Sequence, residues 1–466
     1  MSRVLILPIF LVLLLLSPAA LADKRPDLAR LYASVGQKPD QPPVILIPGL
    51  MGSTLIDKST GKEFWPGSLG ALAFSDYRGL AQMSEEDREG EGLVPGDLFY
   101  GVAGVDFYSE LTGTLEQVGR FRRAQPGQAV QGEGDRRRYY VFNYDWRKAN
   151  VQTAAKLHEL IEQIRRDYGD PGLKVDIVAH SNGGLIASYY LRYGPRDVLG
   201  ETDPKPWSEG EQRVRRVLML GTPMLGSVRS VERLLYGMRI ALRVIPVEVM
   251  ATISTPFEAL PNPALQPIVD KHGNTIALDL FDPRMWKARR WSVYSDEVTG
   301  RVRASAETPE AGEASVRSLQ SAFERNLERA RQFLQVLNTP MPGKVDVAVY
   351  GGDCEMTASR AMLVETGPVS ELIFRPAETA RSRVDPPGKK KGPSERIDYE
   401  GLLAEPGDGL VTRASQLGRA PARNGQSGRD FHFFDDPQTM FLCASHASLT
   451  GNPNFQDNLL YFLLVR

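Results

Sequence analysis

Residues 177–185 read IVAHSNGGL: a β-branched run, then Ser181 between His180 and Asn182, with Gly183 and Gly184 behind them. A hydroxyl is a poor nucleophile until a base takes its proton, and an imidazole base needs a carboxylate to fix its tautomer. A tight strand-to-helix turn with small neighbours is the setting that exposes such a hydroxyl. Ser181 is therefore the candidate nucleophile, although Ala179 stands where the common motif has glycine. Five histidines compete for the base. His158 falls in a helical stretch, His180 adjoins the serine, and His272 sits in the turn-like DKHGNT. That leaves His432 in FHFFDD and His446 in CASHASLTGN. His446, just before a final apolar helix at 459–465, is favoured. For the acid, Asp408 lies between two glycines in EPGDGLV, with Asp353 in YGGDC as the alternative. Charge developing on an attacked carbonyl needs backbone N–H donors. One is expected from Asn182. The other is expected from PGLMGS, where Gly49 and Gly52 allow close approach and Leu50 or Met51 supplies the N–H.

Something must hold these groups. Short apolar runs at 44–47, 139–144, 175–179, 214–220 and 345–350 read as strands buried on both faces, the pattern of a parallel sheet. Leu157, Leu160, Ile161, Ile164 and Tyr168 follow helical spacing, with Asn150 able to cap the helix and Gly169 and Pro171 to end it. A second helix is expected at about 185–193. Alternating strands and helices predict an α/β fold with a doubly wound, mostly parallel sheet. The rhythm breaks at about 61–138 and 228–342, which read as cap insertions into one domain spanning 23–466. A basic, proline-rich stretch at about 376–400, containing RVDPPGKKKGPSER, reads as a mobile surface loop.

The chain has 466 residues and a formal net charge of −1, which gives no electrostatic case for nucleic acid. No cofactor or metal is implied. Arg3, an apolar run from Val4 to Leu16 and the small residues of Ala20-Leu21-Ala22 have the layout of a secretory signal peptide, cut after Ala22. Export to the periplasm or outside the cell is expected, with no transmembrane segment once the signal is removed. The chain's two cysteines, Cys354 and Cys443, would then form a bond.

The blocks PVILIPGLMGSTL, FNYDWR, VAHSNGG, LGTPMLGS and GDGLV, followed by a histidine before the last helix, resemble the lecithin–cholesterol acyltransferase family. Lysosomal phospholipase A2 and phospholipid:diacylglycerol acyltransferases belong to the same family, within the α/β-hydrolase superfamily. The resemblance implies that Ser181, Asp408 and His446 form a triad and that Leu50 and Asn182 are the oxyanion-hole positions. It implies a structural role for Asp145 and Arg147, and it sets Trp65 in the first insertion near a membrane-contacting segment. The family's cysteine pair in that segment is absent. The expected activity is hydrolysis or acyl transfer on ester-linked lipid through an acyl-serine. An esterase for small soluble esters is one alternative, and an inactive binding protein of the same fold is another. Val228, Val231, Leu235, Met238, Leu242 and Ile245 recur at steps of three and four, with arginines beside them. This spacing predicts an amphipathic lid helix that meets lipid at a membrane or micelle surface.

Overall fold

Val44–Ile47 (β1) is apolar at every position and wholly buried, so it must be covered on both faces. Six further strands join it: β2 (Arg122–Arg123), β3 (Arg138–Val141), β4 (Val175–His180), β5 (Val214–Leu220), β6 (Asp346–Gly352) and β7 (Gln438–Leu442). In the computed structural model they form one sheet in the order β7-β6-β5-β4-β1-β3-β2, every neighbouring pair parallel. The structure describes residues 26–35, 41–82, 92–102, 105–240, 242–366, 369–375, 398–423 and 425–466. The signal-peptide expectation and nearly all of the basic loop lie outside these residues.

Alternation along each strand divides the core into two layers. Ile45, Ile47, Ile177, Ala179, Val217 and Met219 face the layer containing helices α1 (Asn150–Asp167) and α2 (Asn182–Tyr193). Val44, Leu46, Val178, Leu218 and Leu220 face the layer containing the closing helix, Pro453–Leu464. Helix α1 ends as expected, with Gly169 at a φ of 62°. Its start differs: Asn150 is the first helical residue and makes no side-chain cap. The carboxyl group of Glu258 accepts the Asn150 N–H at 2.9 Å instead.

The stretch 228–342 is more regular than the sequence suggested. It holds α3 (Val228–Tyr236) and the 29-residue α4 (Pro309–Leu337), capped by Thr308. Leu319, Phe323, Leu327 and Ala330 of α4 pack with Phe257, Trp286 and Tyr294 into a separate apolar cluster. The single amphipathic helix expected over 228–245 is not formed. It stops at Gly237, where φ is 78°, and a hairpin of Met238–Ile240 with Arg243–Ile245 follows. A Cβ on Gly237 would sit 2.4 Å from the Ile245 carbonyl oxygen, so the hairpin folds directly onto the break.

Cys354 and Cys443 are joined, with their Cα atoms 4.9 Å apart. The bond ties the chain just after β6 to the chain just after β7. No described helix is long and apolar enough to cross a membrane.

Candidate active site

Strand β4, at the centre of the sheet, delivers Ser181 at its carboxyl end, and α2 begins at the next residue. Between them Ser181 has φ 54° and ψ −121°, a conformation that side-chain-bearing residues rarely adopt. The turn closes because its neighbours are small. A Cβ on Gly183 would meet the Ile47 oxygen at 2.5 Å, and one on Gly184 would overlap Thr222. Ala179 is fully buried and fits where glycine is common. The Ser181 N–H donates to the Leu220 oxygen at 2.8 Å, fixing the turn to β5.

The structure brings Ser181, His446 and Asp408 together. His446 Nε2 lies 2.9 Å from Ser181 Oγ, and its Nδ1 lies 2.8 Å from Asp408 Oδ2. The carboxylate can only accept, so Nδ1 carries the proton and Nε2 turns its lone pair to the serine hydroxyl. Asp408 is 1% exposed. Its other oxygen accepts the N–H groups of Leu410 and Val411 at 3.0 and 2.7 Å, so the GDGLV turn itself aims the carboxylate. The backbone reinforces the pair, because His446 N–H donates to the Asp408 oxygen at 2.7 Å. Gly221 of LGTPMLGS packs beneath the ring, where a Cβ would be 3.2 Å from it.

The alternatives lie elsewhere. His432 is exposed beside Asp430, and Asp353 is paired to Arg413 at 3.1 Å. His158 bonds to Tyr190, and His272 sits in a turn organised by Asp270. Asp145 and Arg147 make a buried ion pair at 2.8 Å, and Arg147 also reaches the Leu93 oxygen. Trp65 is buried and donates to the Met51 oxygen at 3.1 Å, bracing the loop after β1.

That loop presses on the serine: a Cβ on Gly49 would lie 3.0 Å from Ser181 Cβ. Among the described residues, no acceptor takes the N–H of Leu50, Met51 or Asn182, and all three residues line the cavity that contains Ser181. The Asn182 side chain is used differently, in a reciprocal amide pair with Asn150 at 3.0 and 2.9 Å.

Two residues of this site were not singled out from the sequence. Tyr108 is fully buried, and burial pushes its phenol above the usual tyrosine range. Its oxygen accepts the Gly49 N–H at 2.8 Å and its hydroxyl lies 2.9 Å from His180 Nδ1. His180 Nε2 faces the His446 carbonyl oxygen at 3.3 Å. A carbonyl oxygen only accepts, so Nε2–H donates there and Nδ1 accepts from Tyr108. Burial, with His446 beside it, holds His180 down to about 3, so it is neutral. Tyr108 lies 72 residues from His180, and only the adjacency of His180 to Ser181 hinted at the link.

The cavity holds about 370 Å³. Trp65, Leu72, Phe99, Phe107, Met238 and Ile240 give it apolar walls, and α3 supplies a polar one. Among the described residues, no cluster of three His, Cys, Asp or Glu side chains is placed to hold a metal.

A parallel sheet, with a serine on a strained turn leading into a helix, defines the α/β-hydrolase fold. Residues 130–302 match the family model described as Lecithin:cholesterol acyltransferase, and the resemblance drawn from the sequence blocks is borne out over that stretch. A chain of the Tle4–Tli4 complex matches with a TM-score of 0.53 at 16% identity, over 91% of this chain and 98% of that one. This likeness shows the fold. Staphylococcus hyicus lipase matches at a TM-score of 0.35 and 12% identity, over 91% of this chain and 94% of that one. Lipase 1 from Pelosinus fermentans matches at 0.33 and 12%, over 92% of this chain and 99% of that one. No curated protein matches.

Proposed function

We propose that this chain is a serine-dependent acyl hydrolase or acyltransferase acting on lipid esters. The observation that carries the reading is the hydrogen-bonded run from Asp408 through His446 to Ser181 on its strained turn. Ser181 Oγ attacks the acyl carbonyl while His446 Nε2 takes its proton. The N–H groups of Leu50 and Asn182 bind the oxygen that becomes negative. His446 then protonates the departing alcohol, leaving acyl-Ser181. Water or a second alcohol, deprotonated by the same nitrogen, releases the acyl group and restores the serine. Both acceptors arrive as hydroxyls at one carbon, so the triad serves either outcome.

The apolar cavity walls and the family match support a lipid acyl chain as substrate. Phe74, Leu242 and Val244 are 82%, 80% and 40% exposed. Arg243 donates to the Ser75 oxygen at 3.0 Å, which holds the hairpin beside Phe74. These groups form an apolar lip where a membrane or micelle would rest, a role transferred from the expected helix to the hairpin. The leader-like first residues and the Cys354–Cys443 bond support export.

The test is a fluorophosphonate probe with purified protein. Labelling at Ser181 and hydrolysis of a long-chain ester, both lost in Ser181→Ala, are expected. Persistent labelling in that variant would overturn the assignment.

A further inference from the structure

We propose that α3 carries an anion receptor in the substrate cavity, built from Arg233 and Ser230 with Arg239 at its mouth. It selects acyl esters whose leaving group bears a phosphate without an accompanying cation. The proposal rests on the reading of Ser181 as the acyl acceptor.

Three arginines of the cavity wall have different partners. Arg229 is paired to Glu232 at 2.5 Å, and Glu232 also takes Arg375 at 3.3 Å, so this charge is met within the protein. Arg233, one turn further along α3, makes no hydrogen bond and no ion pair among the described residues. It is half-buried in the cavity wall, and desolvation there lowers its guanidinium to about 10, which leaves it charged at neutral pH. Taking a cation even partly out of water with no partner is unfavourable. Buried polar groups in folded proteins nearly always find a partner. Ser230, three residues before it on the same helix face, is 2% exposed, and its hydroxyl also has no acceptor or donor among the described residues. Two adjacent donors that face a cavity without partners are suited to an acceptor brought by the substrate.

The sign of that acceptor follows from the rest of the wall. Its described lining contains three arginines and no aspartate or glutamate side chain. Asp408 is buried behind His446 and engaged there. An ammonium in the head group would meet only guanidinium, whereas a phosphodiester offers two free oxygens to the guanidinium fork. In a glycerophospholipid the phosphate is a few bonds from the ester carbonyl, so one cavity can hold both groups.

The experiment uses the full chain with mixed micelles of a neutral detergent. These present phosphatidylglycerol, phosphatidylcholine or diacylglycerol with identical acyl chains at equal surface fraction. The wild type is expected to give the highest kcat/KM on phosphatidylglycerol. Arg233→Gln should cut that value about 10- to 100-fold, the range of a lost charge-assisted hydrogen bond. The fall should be at least tenfold larger than the fall on diacylglycerol, with Arg233→Lys intermediate. Arg284→Gln, on an arginine whose side chain is 89% exposed, should change none of the three. Equal losses on all three substrates in Arg233→Gln would make Arg233 a structural residue and overturn the receptor. Wild-type hydrolysis without preference for the acidic lipid would overturn it as well. Absence of Ser181-dependent hydrolysis on all three lipids would overturn the lipid-ester reading itself.

Discussion

Tyr108 is a single hydroxyl shared between two halves of the site. Gly49 N–H points to it, it points to His180, and His180 points to the His446 carbonyl. The loop offering Leu50 is thereby tied to the loop offering His446. Tyr108→Phe keeps the ring and breaks the chain; steady-state kinetics should show kcat lowered by roughly tenfold with KM nearly unchanged, because a group acting in the transition state is displaced. His446→Ala should abolish turnover while His432→Ala retains most of it, measured on the same ester. The His180 ring also sets an acid limit. Burial depresses its pKa from 6.5 to about 3, so the unfolded chain binds a proton that the folded chain refuses. Its contribution is complete above about pH 6.5 and falls as the pH drops toward 3. Urea midpoints at pH 7 and pH 5 should therefore differ more in the wild type than in His180→Gln.

At the level of elements, α1 depends on a carboxyl group, that of Glu258, whose pKa burial has pushed up to about 8. Between about pH 4.5 and 8 the folded protein keeps a proton on Glu258 that the unfolded chain has released. Stability from this group therefore declines as pH rises through that window. Glu258→Gln retains an oxygen for the Asn150 N–H and has nothing to release. Its stability relative to the wild type should climb from pH 5 to pH 8, at a slope of at most about 1.4 kcal/mol per unit, readable by denaturant titration. The Cys354–Cys443 bond joins the ends of neighbouring strands close to His446. Removing it by Cys443→Ser should cost roughly 2–4 kcal/mol in denaturant titration and lower kcat, since the loop bearing His446 is freed.

Across the whole molecule, the framework was legible in the sequence because strands covered on both faces are apolar without interruption. The three residues that the structure brings together, Ser181, His446 and Asp408, were legible because each sits in a short local motif. The hairpin was not. From Met238 to Val244 the apolar residues also alternate at every second position, so the helical and strand patterns coincide, and Gly237 decides between them. The link from Gly49 to His446 was hidden because it joins residues distant in sequence. The proposed interfacial lip follows from the fold. Phe74→Asp with Leu242→Asp should weaken binding to vesicles in a sedimentation assay and leave hydrolysis of a short soluble ester largely intact.

The φ and ψ of Ser181 also carry a cost, since a residue held in that region is strained by roughly 1–3 kcal/mol. Alanine keeps the Cβ and the strain, while glycine releases it. Ser181→Gly should therefore melt above both Ser181→Ala and the wild type while hydrolysing nothing. Heat resistance and turnover then pull this position in opposite directions. Selection of variants for survival at high temperature alone would reward the loss of the proposed nucleophile, so any such search must score product formation in every round.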